Sequence, residues 1–284
     1  MTTRFPEPDF RFSSDLVRRL IDEQFPTLSD RAPERVGVGY DVEVWRISDD
    51  LVVRLPRRNS AFTFVEREIK HLPLIPQDLP LATPRIEAVG VASDLLSGPW
   101  FATQYLPGIS GNEAALSECA RGAADLGVTL ASIHALSTEN VDNISTRGVP
   151  IEARRNFFER ELHQLPKWAA KISQDYFDQA AHTELGSAKV FLHGDVHRSN
   201  LIVHDGRPTA LIDFGDLGYG DRAGDLGGGI FSVGYEAHQK FLMAYGSVSE
   251  ATVVRALGWA CYFAVRNFSI GDAYPLEFLA SLPS

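Results

Sequence analysis

The stretch HGDVHRSNLIVHDGRPTALIDFGD, residues 193–216, decides how this chain is read. Within it, 201–204 and 207–212 are short apolar runs joined by Asp205-Gly206. An Asp-Gly pair between two such runs signals a β-hairpin, because both central residues of the tight turn need positive φ. Pro208 is compatible with a strand start or an edge position. A hairpin brings its open ends together, and here those ends are Asn200 and Asp213. An amide oxygen and a carboxylate are thereby set side by side, with Asp195 on the loop five residues before Asn200. Hard oxygen donors arranged in this way suit Mg²⁺, which takes one or two carboxylates and leaves its other positions to phosphates and water. Asp195 is left to accept a proton from an attacking hydroxyl. Phosphoryl transfer needs that division of labour: positioning and charge neutralisation, with one carboxylate orienting the nucleophile.

Upstream of this stretch the patterning changes once. The first third reads as strands at 35–38, 42–47, 51–55, 85–91 and 100–105, with a helix over 62–72 stopped by Pro73. From Glu113 onward the pattern is helical, over 113–136, 151–164, 168–185, 236–246 and 250–269, except between 190 and 212. Pro107-Gly108 punctuates the change. The expected architecture is a β-rich lobe over 1–105, a hinge near 104–108, and a larger α-rich lobe over 109–284 that carries the catalytic loop and acceptor pocket.

The run His193-Gly194-Asp195-Val196-His197-Arg198-Ser199-Asn200, with Ile212-Asp213-Phe214-Gly215-Asp216, resembles the signature of the aminoglycoside phosphotransferase family. Gly218-Tyr219-Gly220-Asp221-Arg222-Ala223-Gly224-Asp225-Leu226 extends the likeness, with Arg222 where the family usually has proline. The resemblance implies an α+β, two-lobed protein-kinase-like fold and a small-molecule kinase using ATP or GTP with Mg²⁺. It makes Asp195 the catalytic base and Asn200 and Asp213 the magnesium ligands. Asp225 and His193 become supports of the catalytic loop, His193 as a hydrogen-bonded core histidine. More loosely, Gly37-Val38-Gly39-Tyr40 falls where the family has a short loop over the nucleotide phosphates. Arg54 stands where relatives often carry a phosphate-binding lysine, with Glu68 of the following helix as its partner and Glu66 as the fallback. Arginine keeps the charge but binds as a planar fork. The hinge residues Gln104, Tyr105 and Leu106 are expected to receive the base through backbone groups.

Other readings fall away. No G-x-x-x-x-G-K-[ST] loop is present. Asp225 follows Asp213 too closely for the activation segment of a protein kinase. The net charge of −10 over 284 residues disfavours nucleic acid; its field favours a cationic ligand, with plain solubility as the alternative reading. No apolar run is long enough for a bilayer, and MTTRFPEPDF lacks a leader's pattern, which points to the cytoplasm. The two cysteines, Cys119 and Cys261, have no metal-ligand spacing and are expected as buried thiols.

The acceptor is the least constrained element. An aminoglycoside, with antibiotic resistance as the role, is the first expectation. A macrolide, sugar or amino alcohol is the second, and a weakly active nucleotide-binding regulatory module the third. A polycation would want carboxylates such as Glu159, Glu161, Asp175, Asp178 and Glu236. Phe157, Phe158, Trp168, Trp259, Tyr262 and Phe263 are available to wall a pocket, with core packing as their alternative duty.

Overall fold

The computed structural model describes residues 6–28, 30–139, 141, 143–186 and 188–283. The first five residues of the N-terminal stretch read for a leader lie outside them. The chain divides into two compact units, one built from Thr2–Ile75 and Pro84–Pro107, the other from Pro76–Thr83 and Gly108–Ser284.

The first unit opens with a helix that the strand-centred reading of this region passes over, α1 (Ser14–Gln24). Ser13 caps it, its side chain accepting the Leu16 N–H at 3.2 Å. Val17, Leu20 and Ile21 then fall on one face and are buried with Trp45, Val53, Leu55 and Trp100. The strands follow as β1 (Glu34–Val38), β2 (Val42–Arg46) and β3 (Leu51–Pro56). Next come α2 (Phe62–His71), β4 (Ile86–Gly90) and β5 (Trp100–Gln104). Pro73 ends α2 in a short 3-10 turn. The sheet is antiparallel in the order β1-β2-β3-β5-β4, so β5 lies inside it and is almost wholly buried.

The second unit begins with β6 (Ile109–Ser110), α3 (Leu116–Arg121) and α4 (Ala123–His134). The single helix expected over 113–136 is broken at Gly122, where Pro208 packs so closely that a Cβ would come within 2.5 Å of its Cγ. The helices α5 (Arg155–Leu162) and α6 (Lys167–Ala181) precede β7 (Val190–Leu192). The predicted hairpin is β8 (Leu201–His204) and β9 (Arg207–Leu211). Asp205 and Gly206 both have positive φ, 49° and 72°, as a type I′ turn requires. Residues 76–83 belong to this unit through Ala82, which donates to Thr209 O and accepts from Leu211 N, each at 2.9 Å. They therefore cover the edge of β9 on which Pro208 sits.

The remaining elements are β10 (Gly218–Gly220), paired with β7, and α7 (Ala223–Val233), α8 (His238–Tyr245), α9 (Glu250–Ser269) and α10 (Tyr274–Ser281). Every residue of α7 is buried. A Cβ on its Gly228 would lie 2.0 Å from the Val196 carbonyl oxygen, so glycine there lets α7 seat directly under the loop that carries Asp195. Gly228→Ala is expected to cost about 1–3 kcal/mol by overpacking, read from a urea unfolding midpoint. An unchanged midpoint would show that the loop shifts without penalty. No helix among the described residues is long and apolar enough to cross a membrane. Cys119 and Cys261 are buried free thiols.

Candidate active site

The hairpin delivers its mouth as the sequence requires. Leu201 pairs with Leu211, and one step further Ile212 N–H donates to Asn200 O at 2.9 Å. Asn200 and Asp213 therefore flank the last rung. The Asn200 Nδ2 donates to Asp195 O at 2.9 Å, which ties the hairpin to the preceding loop and turns the amide oxygen away from that bond. Asp213 adopts a φ of 67°, a left-handed conformation that non-glycine residues take at a cost, often at functional sites.

Asp225, in the first turn of α7, braces the loop from below. Its carboxylate accepts the His193 N–H at 2.7 Å and the Gly194 N–H at 2.9 Å. His134 of α4 meets the same carboxylate at 3.1 Å through Nε2, and its Nδ1 lies 2.8 Å from the Tyr245 hydroxyl. Burial pushes the Asp225 carboxyl up, but His134 and the backbone donors hold it below the usual carboxylate value. Arg222 donates to Tyr245 Oη at 3.2 Å and closes the chain of contacts. His193 is fully buried, with Nε2 toward Ile212 O at 3.1 Å and Nδ1 accepting the Asp195 N–H at 3.2 Å. These partners assign the neutral Nε2–H tautomer, and burial lowers the ring's affinity for a second proton.

Around the Asp195 carboxylate stand residues that the sequence does not single out. Arg147 Nη2 is 2.8 Å from Oδ1, His197 Nε2 is 3.2 Å from Oδ2, and Arg266 Nη1 is 3.4 Å from Oδ1. Arg147 also binds Asp216 at 2.8 Å. His197 and Asp216 lie inside the quoted stretch, but Arg147 and Arg266 come from a distant loop and from α9. Burial raises the affinity of Asp195 for a proton; the charges of Arg147, His197 and Arg266 outweigh it and hold the carboxyl well below its ordinary range. A carboxylate depressed on folding adds stability above its unfolded pKa, about 3.9, and that stability is lost as pH falls through the folded value. The stability advantage of the native chain over Asp195→Asn should therefore shrink as pH falls below about 4, a trend that paired urea titrations would read. A constant difference across that range would mean the pairing is absent in solution.

In the first unit, Arg54 of β3 and Glu68 of α2 form a buried ion pair, Nη2 lying 3.1 Å from Oε1 and 3.2 Å from Oε2. The Arg54 guanidinium also lies over Phe101. Glu66 is exposed on the other side of α2, so helix phase selects Glu68. Gly37 lies inside β1 rather than in the turn, which spans Gly39 to Asp41. Arg57 Nη1 donates to Gly39 O at 3.0 Å and holds that turn. Gln104 ends β5, and the Tyr105 N–H is taken by Asp50 O at 2.6 Å. The Leu106 N–H has no backbone partner among the described residues.

A β-sheet unit with a buried strand–helix ion pair, and a helical unit with an Asp-loop, a hairpin mouth and a bracing aspartate, make a protein-kinase-like α+β architecture. The chain belongs to the phosphotransferase enzyme family, whose sequence model matches residues 33–259. That makes it a small-molecule kinase. No curated protein matches the chain by sequence. Among solved structures it is similar to the GDP complex of wild-type aminoglycoside 2′-phosphotransferase-IIIa, with a TM-score of 0.71 at 18% identity, over 95% of this chain and 98% of that one. It is similar to macrolide 2′-phosphotransferase type I, with a TM-score of 0.64 at 17% identity, over 95% and 97%. The macrolide 2′-phosphotransferase MphH of Brachybacterium faecium, as apoenzyme, gives 0.58 at 22% identity, over 95% and 98%. At these identities the likeness is one of fold.

Proposed function

We propose that the chain moves the γ-phosphoryl group of ATP or GTP onto a hydroxyl of a small molecule, with Asp195 receiving the hydroxyl proton. The observation that carries this reading is Asp195 tied through Asn200 to a hairpin mouth that also bears Asp213. In the reaction the hydroxyl oxygen bonds to the γ-phosphorus, its proton passes to Asp195, and the bond to the β-phosphate oxygen breaks to release a nucleoside diphosphate.

Asn200 and Asp213 fit a hard cation. Mg²⁺ takes one or two protein oxygens and completes its shell with phosphates and water. Asn200 and Asp213 would hold Mg²⁺, which neutralises the nucleotide phosphates when bound. Arg54, positioned by Glu68, contacts the nucleotide phosphates in this reading, with Gly37 and Gly39 on the covering hairpin. Gln104 and Leu106 offer backbone groups to the base. His193 and Asp225 act by positioning. Arg54→Ala should raise the nucleotide KM about 10–100-fold, the value of a charge-assisted contact, while Arg54→Lys recovers part of it. A KM unmoved by Arg54→Ala would remove Arg54 from the phosphate site.

The relatives act on aminoglycosides and macrolides, and what carries over is a hydroxylated small acceptor. ATP and GTP offered with kanamycin, a macrolide, sugars and amino alcohols should give a phosphorylated product by mass spectrometry. Tight nucleotide binding with no acceptor-dependent diphosphate from any of them would favour a regulatory module instead.

A further inference from the structure

The two oxygens of the Asp195 carboxylate face different surroundings. Oδ2 faces His197, whose Nε2 lies 3.4 Å from the Asn200 Nδ2, on the side of the hairpin mouth. Oδ1 faces Arg147 and Arg266. With metal and phosphates held from the hairpin side, the acceptor approaches from the arginine edge. The arginines differ in how far they are committed. Arg147 also binds Asp216 and Thr146, and its side chain is 11% exposed. Arg266 has one long carboxylate contact and is 33% exposed. A hydroxyl placed within about 3 Å of Asp195 for proton transfer would stand only about 6 Å from the Arg266 guanidinium, by adding the 3.4 Å contact. Groups a few bonds from the reacting hydroxyl come within its reach. Tyr262, one turn earlier on the same face of α9, packs against Phe157 at 5.6 Å beside it.

The acidic residues expected to receive a polycation are mostly engaged already. Arg155 takes Glu159 at 3.3 Å and Asp178 at 3.0 Å. Arg160 takes Glu161 at 2.7 Å, and Lys171 takes Asp175 at 2.8 Å. Of the five, only Glu236 forms no ion pair among the described residues. Beside Asp195 the least committed charged side chain is Arg266.

We propose that the acceptor carries an anionic group, a carboxylate or a phosphate, close to the hydroxyl it presents to Asp195, and that Arg266 binds that group. This rests on Asp195 as the residue that receives the hydroxyl proton. An arriving anion competes with Asp195 for Arg266, whose 3.4 Å contact is the longest of the three on that carboxylate, and the contact selects the acceptor.

The test pairs glucuronate with glucose and glycerate with glycerol, adds kanamycin as the polycation, and uses native chain, Arg266→Ala and Arg266→Lys. The anionic member of a pair should exceed its neutral partner in kcat/KM by at least about tenfold, the value of one charge-assisted hydrogen bond. Arg266→Ala should lower the anionic-to-neutral ratio of kcat/KM by that factor, whatever it does to both rates through Asp195, and Arg266→Lys should restore part of the ratio. A preference for kanamycin overturns the proposal. So does an unchanged ratio in Arg266→Ala, with kcat falling equally for anionic and neutral acceptors. So does a panel in which no anion is phosphorylated or raises the melting temperature. Full turnover by Asp195→Asn would instead sink the underlying reading, whichever charge is preferred.

Discussion

Asp195→Asn is expected to lower kcat by about 10²–10⁴, the range for losing a positioned proton acceptor, with nucleotide affinity nearly intact. The substitution keeps size and shape, so the Asn200 bond to the backbone oxygen of residue 195 survives. What disappears is a carboxylate that two arginines and His197 hold deprotonated. A carboxylate so strongly stabilised is a weak base, which argues against early proton abstraction. It suits a loose phosphoryl-transfer transition state, where the nucleophile needs orientation and its proton leaves late. Because the unprotonated form is the active one and its pKa is depressed, Asp195 should contribute no acid limb to the rate within pH 5–8, roughly the range of ordinary assays. Arg147 keeps Asp216 as a partner in the variant, so the fold should survive, checked by far-UV circular dichroism. Retention of kcat within about tenfold would remove Asp195 from the role of base.

Which features could be read from sequence follows from how local their causes are. The Asp205-Gly206 turn is legible because both positive φ values are needed within two adjacent residues, and the meeting of Asn200 with Asp213 follows from chain geometry alone. The cap and 3.6-residue spacing of α1 were equally local, in Ser13, Val17, Leu20 and Ile21; the strand-rich neighbourhood obscured them. At the Gly122 break the neighbour is Pro208 of β9, far later in the chain, and periodicity through 113–136 gives no hint of that contact. The choice of Glu68 over Glu66 is a matter of which face of α2 meets β3, and two residues along a helix reverse it. Arg147 and Arg266 could not be found at all from spacing. Nothing local distinguishes them from the other arginines; only the fold of the second unit brings a loop before α5 and the end of α9 to one carboxylate.

The second large effect concerns a residue that touches no reactant. Asp225→Ala is expected to cost about 3–5 kcal/mol, as for removing one member of a buried charged pair. The variant leaves the N–H groups of His193 and Gly194 buried without an acceptor, together with Nε2–H of His134. Each such group loses its solvation with no compensating bond, at about 1–3 kcal/mol, and partial relaxation of the loop keeps the total below the sum. Relaxation moves the residue that follows Gly194, which is Asp195. A displacement on the order of 1 Å there can lower turnover about 100-fold, so kcat should fall even at temperatures where the variant stays folded. The outer contacts separate positioning from mere stability. Tyr245→Phe removes the hydroxyl between His134 and Arg222 but leaves Asp225 and both backbone bonds in place. It should cost only about 0.5–1.5 kcal/mol and leave kcat nearly unchanged. Parallel thermal melts and turnover assays on the two variants give the comparison. Equal losses of kcat in both would mean that stability alone, and not the hold on the catalytic loop, sets the rate.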